Sequence, residues 1–197
     1  IEHYEIIFMA VFVILVILLV LYIVHENYRR DQELMKYAQT DVLTGLYNKE
    51  TTKLRTDEIL STDKDMIHAF LILDMDCFKQ INDGYGHAVG DIVLQKFGQL
   101  LRDIFREDDI VGRIGGDEFV VVMKNIKMKE MAIAKAEELL TKTQQYEIKE
   151  LNGSAISISI GIAMAPEDGE CYMDLYKRAD QALYQAKRSG KARVCGY

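Results

Sequence analysis

The sequence predicts an α+β fold whose core runs β-α-β-β-α-β with additions. This is the split βαβ, ferredoxin-like arrangement, here preceded by one transmembrane helix. Three observations carry it. Residues 68–75 (HAFLILDM) form a continuous apolar run that reads as a central strand. Two short segments, Asp109–Ile114 and Glu118–Met123, flank Gly115-Gly116 as the arms of a hairpin do. Stretches of helical period alternate with these strands and continue towards the C-terminus. A mainly antiparallel sheet backed by helices on one face is expected.

The elements are justified in order. From Ile6 to Val24 there are 19 consecutive residues without a charge, which span about 28 Å at about 1.5 Å per residue, close to the hydrocarbon core of a bilayer. A buried helix that is apolar all round would need a larger protein around it. A signal peptide would start basic, whereas here Glu2 and Glu5 come first and Arg29, Arg30 and Lys36 follow the run. Residues 1–24 are therefore read as a transmembrane helix in contact with lipid over 6–24, with the C-terminal part in the cytoplasm. The chain opens on Ile1 rather than Met, so a longer or processed parent chain is expected, with a sensor ahead of it.

Residues 25–39 read as a juxtamembrane signalling helix or linker. Leu21, Tyr28, Met35 and Ala38 fall near a seven-residue repeat, which fits both a helix paired with its own copy and a single solvated one. Thr40, Asp41 and Thr44-Gly45 break the helix, and a new one is expected from Asn48, an N-cap residue, to about Leu60. Asp91–Arg106 repeats Val93, Phe97, Leu100, Leu101 and Ile104 at helical spacing. A helix over Met128–Gln144, a strand over Ala155–Ala163, a helix over Tyr172–Ala186 and a short strand over Ala192–Cys195 complete a domain spanning 40–197.

Composition narrows the function. Lys plus Arg number 24 against 31 Asp plus Glu, a net charge of −7, and 49% of residues are hydrophobic. A disordered tail would be less apolar, and a general nucleic-acid binder would be basic, so no nucleic-acid partner is expected. Three cysteines in a cytoplasmic domain read as free thiols.

The chemistry is carried by acids. Asp74 and Asp76 end the apolar strand, where an ionised carboxylate is costly without a compensating cation. Asp117 and Glu118 follow the Gly-Gly turn, and the predicted topology brings three or four carboxylates to one sheet edge. Such a cluster suits Mg²⁺, shared with substrate phosphates, and points to phosphoryl transfer. A Gly-Gly turn flanked by acids also fits an ordinary solvated hairpin. Lys79 adds positive charge near the same edge. Asn82, His87 and Asp91 lie in a Gly-rich stretch that permits close backbone approach to a ligand, and they equally fit cap and turn roles.

Arg113 followed by Gly115-Gly116-Asp117-Glu118-Phe119 resembles the signature of the GGDEF family of diguanylate cyclases. The likeness extends through Asp41-Val42-Leu43-Thr44-Gly45-Leu46-Tyr47-Asn48 and Asp74-Met75-Asp76-Cys77-Phe78-Lys79-Gln80-Ile81-Asn82-Asp83. It continues in Gly86-His87-Ala88-Val89-Gly90-Asp91, Ser159-Ile160-Gly161-Ile162-Ala163 and Ala179–Lys187. It covers residues 40–197 in register.

The resemblance implies a fold of nucleotide-cyclase and polymerase-palm type and a membrane-tethered enzyme of the bacterial inner membrane. Such an enzyme condenses two GTP into cyclic di-GMP with release of two pyrophosphates, working as a homodimer in which each 3′-hydroxyl attacks the other nucleotide's α-phosphate. Carried over by position, Asp74, the Met75 carbonyl, Asp117 and Glu118 would ligate Mg²⁺ (or Mn²⁺), with Glu118 serving a second metal or helping to deprotonate the hydroxyl. Asp117, Glu118 and Lys79 take the catalytic roles, Lys79 in transition-state stabilisation. Phe78, Asn82, His87, Asp91, Gly115 and Gly116 line the substrate, and Lys187 with Lys191 holds the triphosphate. An Asp at position 91 accepting from guanine's donor edge would penalise adenine.

Arg106-Glu107-Asp108-Asp109 matches the family's RxxD product site, where Arg106 and Asp109 would bind cyclic di-GMP and inhibit. From the residues alone, a helix-terminal cation and a turn Asp explain the pair better; the register of the resemblance is what favours the product site. Lys49, Lys191 and Ala192 depart from the family's usual Arg, Arg and Asn; the two lysines keep charge but lose bidentate geometry. The alternative to an active cyclase is a non-catalytic receptor for cyclic di-GMP on the membrane. A cyclase making an adenine-containing dinucleotide is opposed by Asp91.

Overall fold

The computed structural model describes residues 2–152 and 155–197 and divides into two compact units, the N-terminal helix and residues 40–197. The first unit is α1, Glu2–Gln39. Within it, Ile7–Asn27 is 21 residues long with a mean hydropathy of 3.5. By length and composition it is able to cross a membrane.

In the second unit, α2 spans Lys49–Thr62 and begins where Asn48 Oδ1 accepts the Thr51 N–H at 3.0 Å, the N-cap bond that the sequence suggested. Strand β1 spans His68–Met75, α3 Phe78–Tyr85 and α4 His87–Ile104. The hairpin strands are β2, Ile110–Arg113, and β3, Glu118–Met123. Then come α5 (Lys129–Gln145), a 3-10 turn (Lys149–Leu151), β4 (Ile158–Ala165), α6 (Tyr172–Arg188) and β5 (Val194–Gly196).

The sheet order is β2-β3-β1-β4-β5, antiparallel except for β4 with β5. Expected and observed order agree, with one addition and one correction. The Gly-rich stretch after β1, given no element of its own above, is helix α3, turned back into α4 at Gly86 with φ +86°. Helices cover both faces of the sheet rather than one. Ala69, Leu71 and Leu73 pack with α4 and α5 residues such as Phe97 and Leu139. Phe70 and Ile72 pack on the other side with Leu60 of α2 and Leu175, Ala179 and Leu183 of α6. Every residue of β1 is buried, which is what an uninterrupted apolar run requires.

Two glycines set how closely this second layer sits. A Cβ at Gly161 of β4 would overlap the Ala179 carbonyl and the Leu183 amide, so α6 rests directly on the strand backbone. At Gly112, Thr52 of α2 fills the space in the same way. Lys187, near the C-terminal end of α6, is thereby held over the sheet's Asp74 edge.

Candidate active site

Sheet register brings the acids together. Asp74 pairs with Glu118 across β3 and with Ser159 across β4, and the Met75 N–H donates to the Asp117 carbonyl at 3.2 Å. The Lys187 ammonium lies 2.7 Å from Asp74 Oδ2. Burial pushes the Asp74 carboxyl up, Lys187 pulls it back, and the charges of Asp117 and Asp76 raise it further; the net value is above the ordinary one. Glu118 is also raised, first by burial and then by Asp74 and Asp117. These are two carboxylates short of positive charge, a condition that a hard divalent cation relieves. Among the described residues, no group of three or more His, Cys, Asp and Glu side chains is already drawn into a metal-holding cluster.

The Gly-Gly turn is shaped around this edge. A Cβ on Gly115 would come within 2.7 Å of Glu118 Oε2, whereas Gly116 faces open space. Arg113 fixes the turn by donating from Nη2 and Nε to the Gly116 carbonyl at 2.7 and 3.1 Å, while its Nη1 meets Asp41 Oδ1 at 3.1 Å. Asp76, counted among the acids by position, is committed elsewhere. Its carboxylate accepts from Ser157 Oγ (2.6 Å), Ser159 Oγ (2.7 Å) and the Ala192 N–H (3.1 Å).

Other predicted residues form separate groups. Phe78 and Asn82 of α3 close over Gly90 of α4, leaving no space for a side chain there. Lys79, His87 and Asp91 are exposed on the first turns of α3 and α4. Lys191, with φ +60°, places its Nζ 3.2 Å from the Cys77 Sγ and close enough to Asp76 and Asp74 to feel their charge. Arg106 and Asp109 lie at the opposite end of the hairpin from Gly115-Gly116. Asp109 is buried, its two oxygens accepting the Arg106 and Lys124 amides, each at 3.0 Å, while Arg106 is exposed.

Sequence reasoning missed the roles of Arg113, Asp76, Ser157 and Ser159. The alternating Ile and Ser of Ile156–Ile160, leading into β4, was the available signal for the serines, since it places polar residues on one face of an extended segment.

The Asp41–Arg113 pair yields a pH prediction. Burial raises the Asp41 carboxyl, but the Thr44 hydroxyl and amide and the Arg113 guanidinium outweigh it and hold it below the ordinary value. Its stabilisation is complete above the unfolded value of about 4 and fades as pH falls through the folded one. Asp41→Asn is expected to cost about 1–2 kcal/mol at pH 7, allowing for solvent screening, and less at pH 3. Urea unfolding at both pH values checks this; an equal cost at each would contradict the ionic account.

Comparisons with known proteins agree with this geometry. The family described as "Diguanylate cyclase, GGDEF domain" matches residues 38–193. Diguanylate cyclase DgcS of Shewanella oneidensis is 36% identical over 168 residues, which is 84% of this chain and 55% of that protein. Diguanylate cyclase A of Treponema denticola is 34% identical over 173 residues, 83% of this chain and 46% of that protein. The structure of the coiled coil and GGDEF domain of DgcB from Caulobacter crescentus, in complex with c-di-GMP, superposes with a TM-score of 0.81 at 25% identity. It covers 88% of this chain and 93% of that one. The chain spans about half the length of the curated relatives it matches, or less. An α+β palm-like sheet, acids gathered at one edge of it and a family match across nearly all of residues 40–197 lead to one conclusion: the chain belongs to the GGDEF domain family of diguanylate cyclases.

Proposed function

We propose that the protein is a membrane-anchored diguanylate cyclase that joins two GTP into cyclic di-GMP and releases two pyrophosphates. The observation that carries this is the register pairing of Asp74 with Glu118, beside Asp117 and a Gly116 with open space before it. In each half-reaction a 3′-hydroxyl oxygen bonds to the α-phosphorus of the other nucleotide. The bridging α–β oxygen leaves with its electron pair as pyrophosphate, and Glu118 takes the hydroxyl proton.

A divalent cation, Mg²⁺ or Mn²⁺, would be held by Asp74, the Met75 carbonyl, Asp117 and Glu118, and would neutralise phosphate charge and activate the hydroxyl. Lys187 then turns from Asp74 to the triphosphate. Asn82 and Asp91 read the guanine, with Phe78 and His87 beside them, and Lys79 and Lys191 supply charge to the phosphates. Two copies are required because each chain supplies one nucleotide site. Ile7–Asn27 supports the anchor, with residues 25–39 as the signalling helix and the domain on the cytoplasmic side of the inner membrane. Arg106 and Asp109 form the inhibitory product site. The exposed Arg106 supports that reading, and Asp109 contributes through the oxygen lone pairs that its two amides leave free.

The test is the full chain in detergent or nanodiscs with GTP and Mg²⁺ over a range of protein concentrations, with products identified by mass. Cyclic di-GMP rising faster than linearly with enzyme is expected. Tight binding of cyclic di-GMP with no product at any concentration would favour the receptor reading.

A further inference from the structure

At the end of the sheet away from the acids there is a cavity of about 240 Å³. Strand β1 begins beside it at His68 and reaches Asp74 six residues on, about 20 Å away at about 3.3 Å per residue. One wall is the C-terminal end of α2 with the turn after it, and the other is the loop that joins β4 to α6. Both walls are pinned by hydrogen bonds. The Met66 N–H donates to the Asp63 carbonyl at 3.0 Å, and Asp168 Oδ2 accepts the Met164 N–H at 2.6 Å. Leu60, Met66, Ala165 and Pro166 give the cavity an apolar body.

Its polar groups are mostly acceptors. His68 lines the cavity and is only 1% exposed. The His68 Nε2 lies 3.4 Å from the Asp63 carbonyl, which can only accept, so the ring hydrogen is assigned to Nε2. Nδ1 is then a bare acceptor, and among the described residues it has no hydrogen-bond partner. A buried polar atom in that condition is costly and rare. Ser61 gives its hydroxyl hydrogen to the Glu58 carbonyl at 2.7 Å, which leaves its oxygen lone pairs to accept. Two lining carboxylates, Asp63 and Glu170, stand against one lining cation, Lys64, and among the described residues none of the three forms a salt bridge.

A molecule that satisfies this set must donate hydrogen bonds, carry positive charge and present an apolar surface. Water would satisfy Nδ1 alone, and an anion would meet the excess of carboxylates. The size fits one ring with a short arm, since roughly 150 Å³ accommodates benzene and drug-sized ligands take roughly 300 Å³ or more.

We infer that this cavity binds a small organic ammonium, a primary amine on an apolar body the size of one ring. The ammonium donates to His68 Nδ1 and to the carboxylate of Glu170, and the body lies on Leu60, Met66 and Pro166. The site stands apart from the acid edge and does not depend on the activity proposed above.

The experiment titrates the full chain in nanodiscs with benzylammonium, benzyl alcohol and benzoate by calorimetry, with protein-free nanodiscs as the reference. Nitrogen-15 NMR of the labelled histidine rings is recorded alongside, and the His68 signal is assigned by its loss in His68→Phe. Benzylammonium should bind at least ~10-fold more tightly than benzyl alcohol, and benzoate should not bind. The His68 Nδ1 signal should move with benzylammonium. Glu170 is exposed, so Glu170→Gln should keep the parent melting temperature while weakening benzylammonium roughly 5-fold. Heats equal to those of protein-free nanodiscs for all three probes would overturn the inference. Equal affinity for the alcohol and the ammonium would overturn the ligand class, and binding that leaves the His68 signal unmoved would place the ammonium elsewhere and overturn the site. No readout uses GTP, so failure here and failure of the proposed activity are separate results.

Discussion

Asp117→Ala is expected to reduce cyclic di-GMP formation by roughly 10²- to 10³-fold while leaving the fold as stable as before, or more so. The two halves of that expectation have separate causes. Activity falls because the carboxylate proposed to meet the cation and the phosphates is gone. Stability holds because Asp117 touches the fold through its backbone, whose carbonyl accepts from Met75 N–H whatever the side chain. Its charge raises both Asp74 and Glu118, so removing it relieves repulsion. Turnover and thermal unfolding measured on the same sample check both halves. Full activity would remove the acid edge from the mechanism, and a large fall in melting temperature would make Asp117 a structural residue.

Gly161→Ala should have the largest effect on stability, about 3 kcal/mol or more, and Gly161→Val should prevent folding. A Cβ there meets backbone rather than flexible side chain, with Leu183 Cα at 2.9 Å and the Ala179 carbonyl and Leu183 amide nearer still. Helix α6 would have to lift from the sheet, exposing Leu175, Ala179 and Leu183 and drawing Lys187 away from Asp74. The urea midpoint of Gly161→Ala followed by circular dichroism is the measurement. An unchanged midpoint would show that the helix has room to shift.

What the chain reveals by pattern alone is uneven, for physical reasons. The run from His68 to Met75 stood out because a strand buried on both faces has no polar register to interrupt it. The same fact already implied helices on both sides, and expecting one layer overlooked it. Helix α3 escaped notice although Phe78, Ile81 and Tyr85 keep helical spacing, because eight residues including Asn82, Asp83 and Gly84 have little intrinsic helical preference. Its stability comes from lying against α4, a contact that local reading does not contain.

At the site, Asp74, Asp117 and Glu118 were readable from hairpin register. Asp76 was not separable from them. Its partners Ser157 and Ser159 are 81 and 83 residues away in the chain, and only the sheet makes them neighbours. Arg113 and Asp41, 72 residues apart, were each visible in a motif, but their pairing was not.

The strand order has a consequence for how two copies meet. An open sheet invites a neighbour to continue its hydrogen-bond ladder, which is a route to aggregation. Here one edge, β2, is occupied by the chain itself: Val111 O accepts from the Tyr47 N–H, and the Arg113 N–H donates to Tyr47 O. The other edge, β5, is only three residues long. Two such domains at high local concentration would have little tendency to polymerise strand by strand, so an encounter between copies would be left to the helical and loop surfaces.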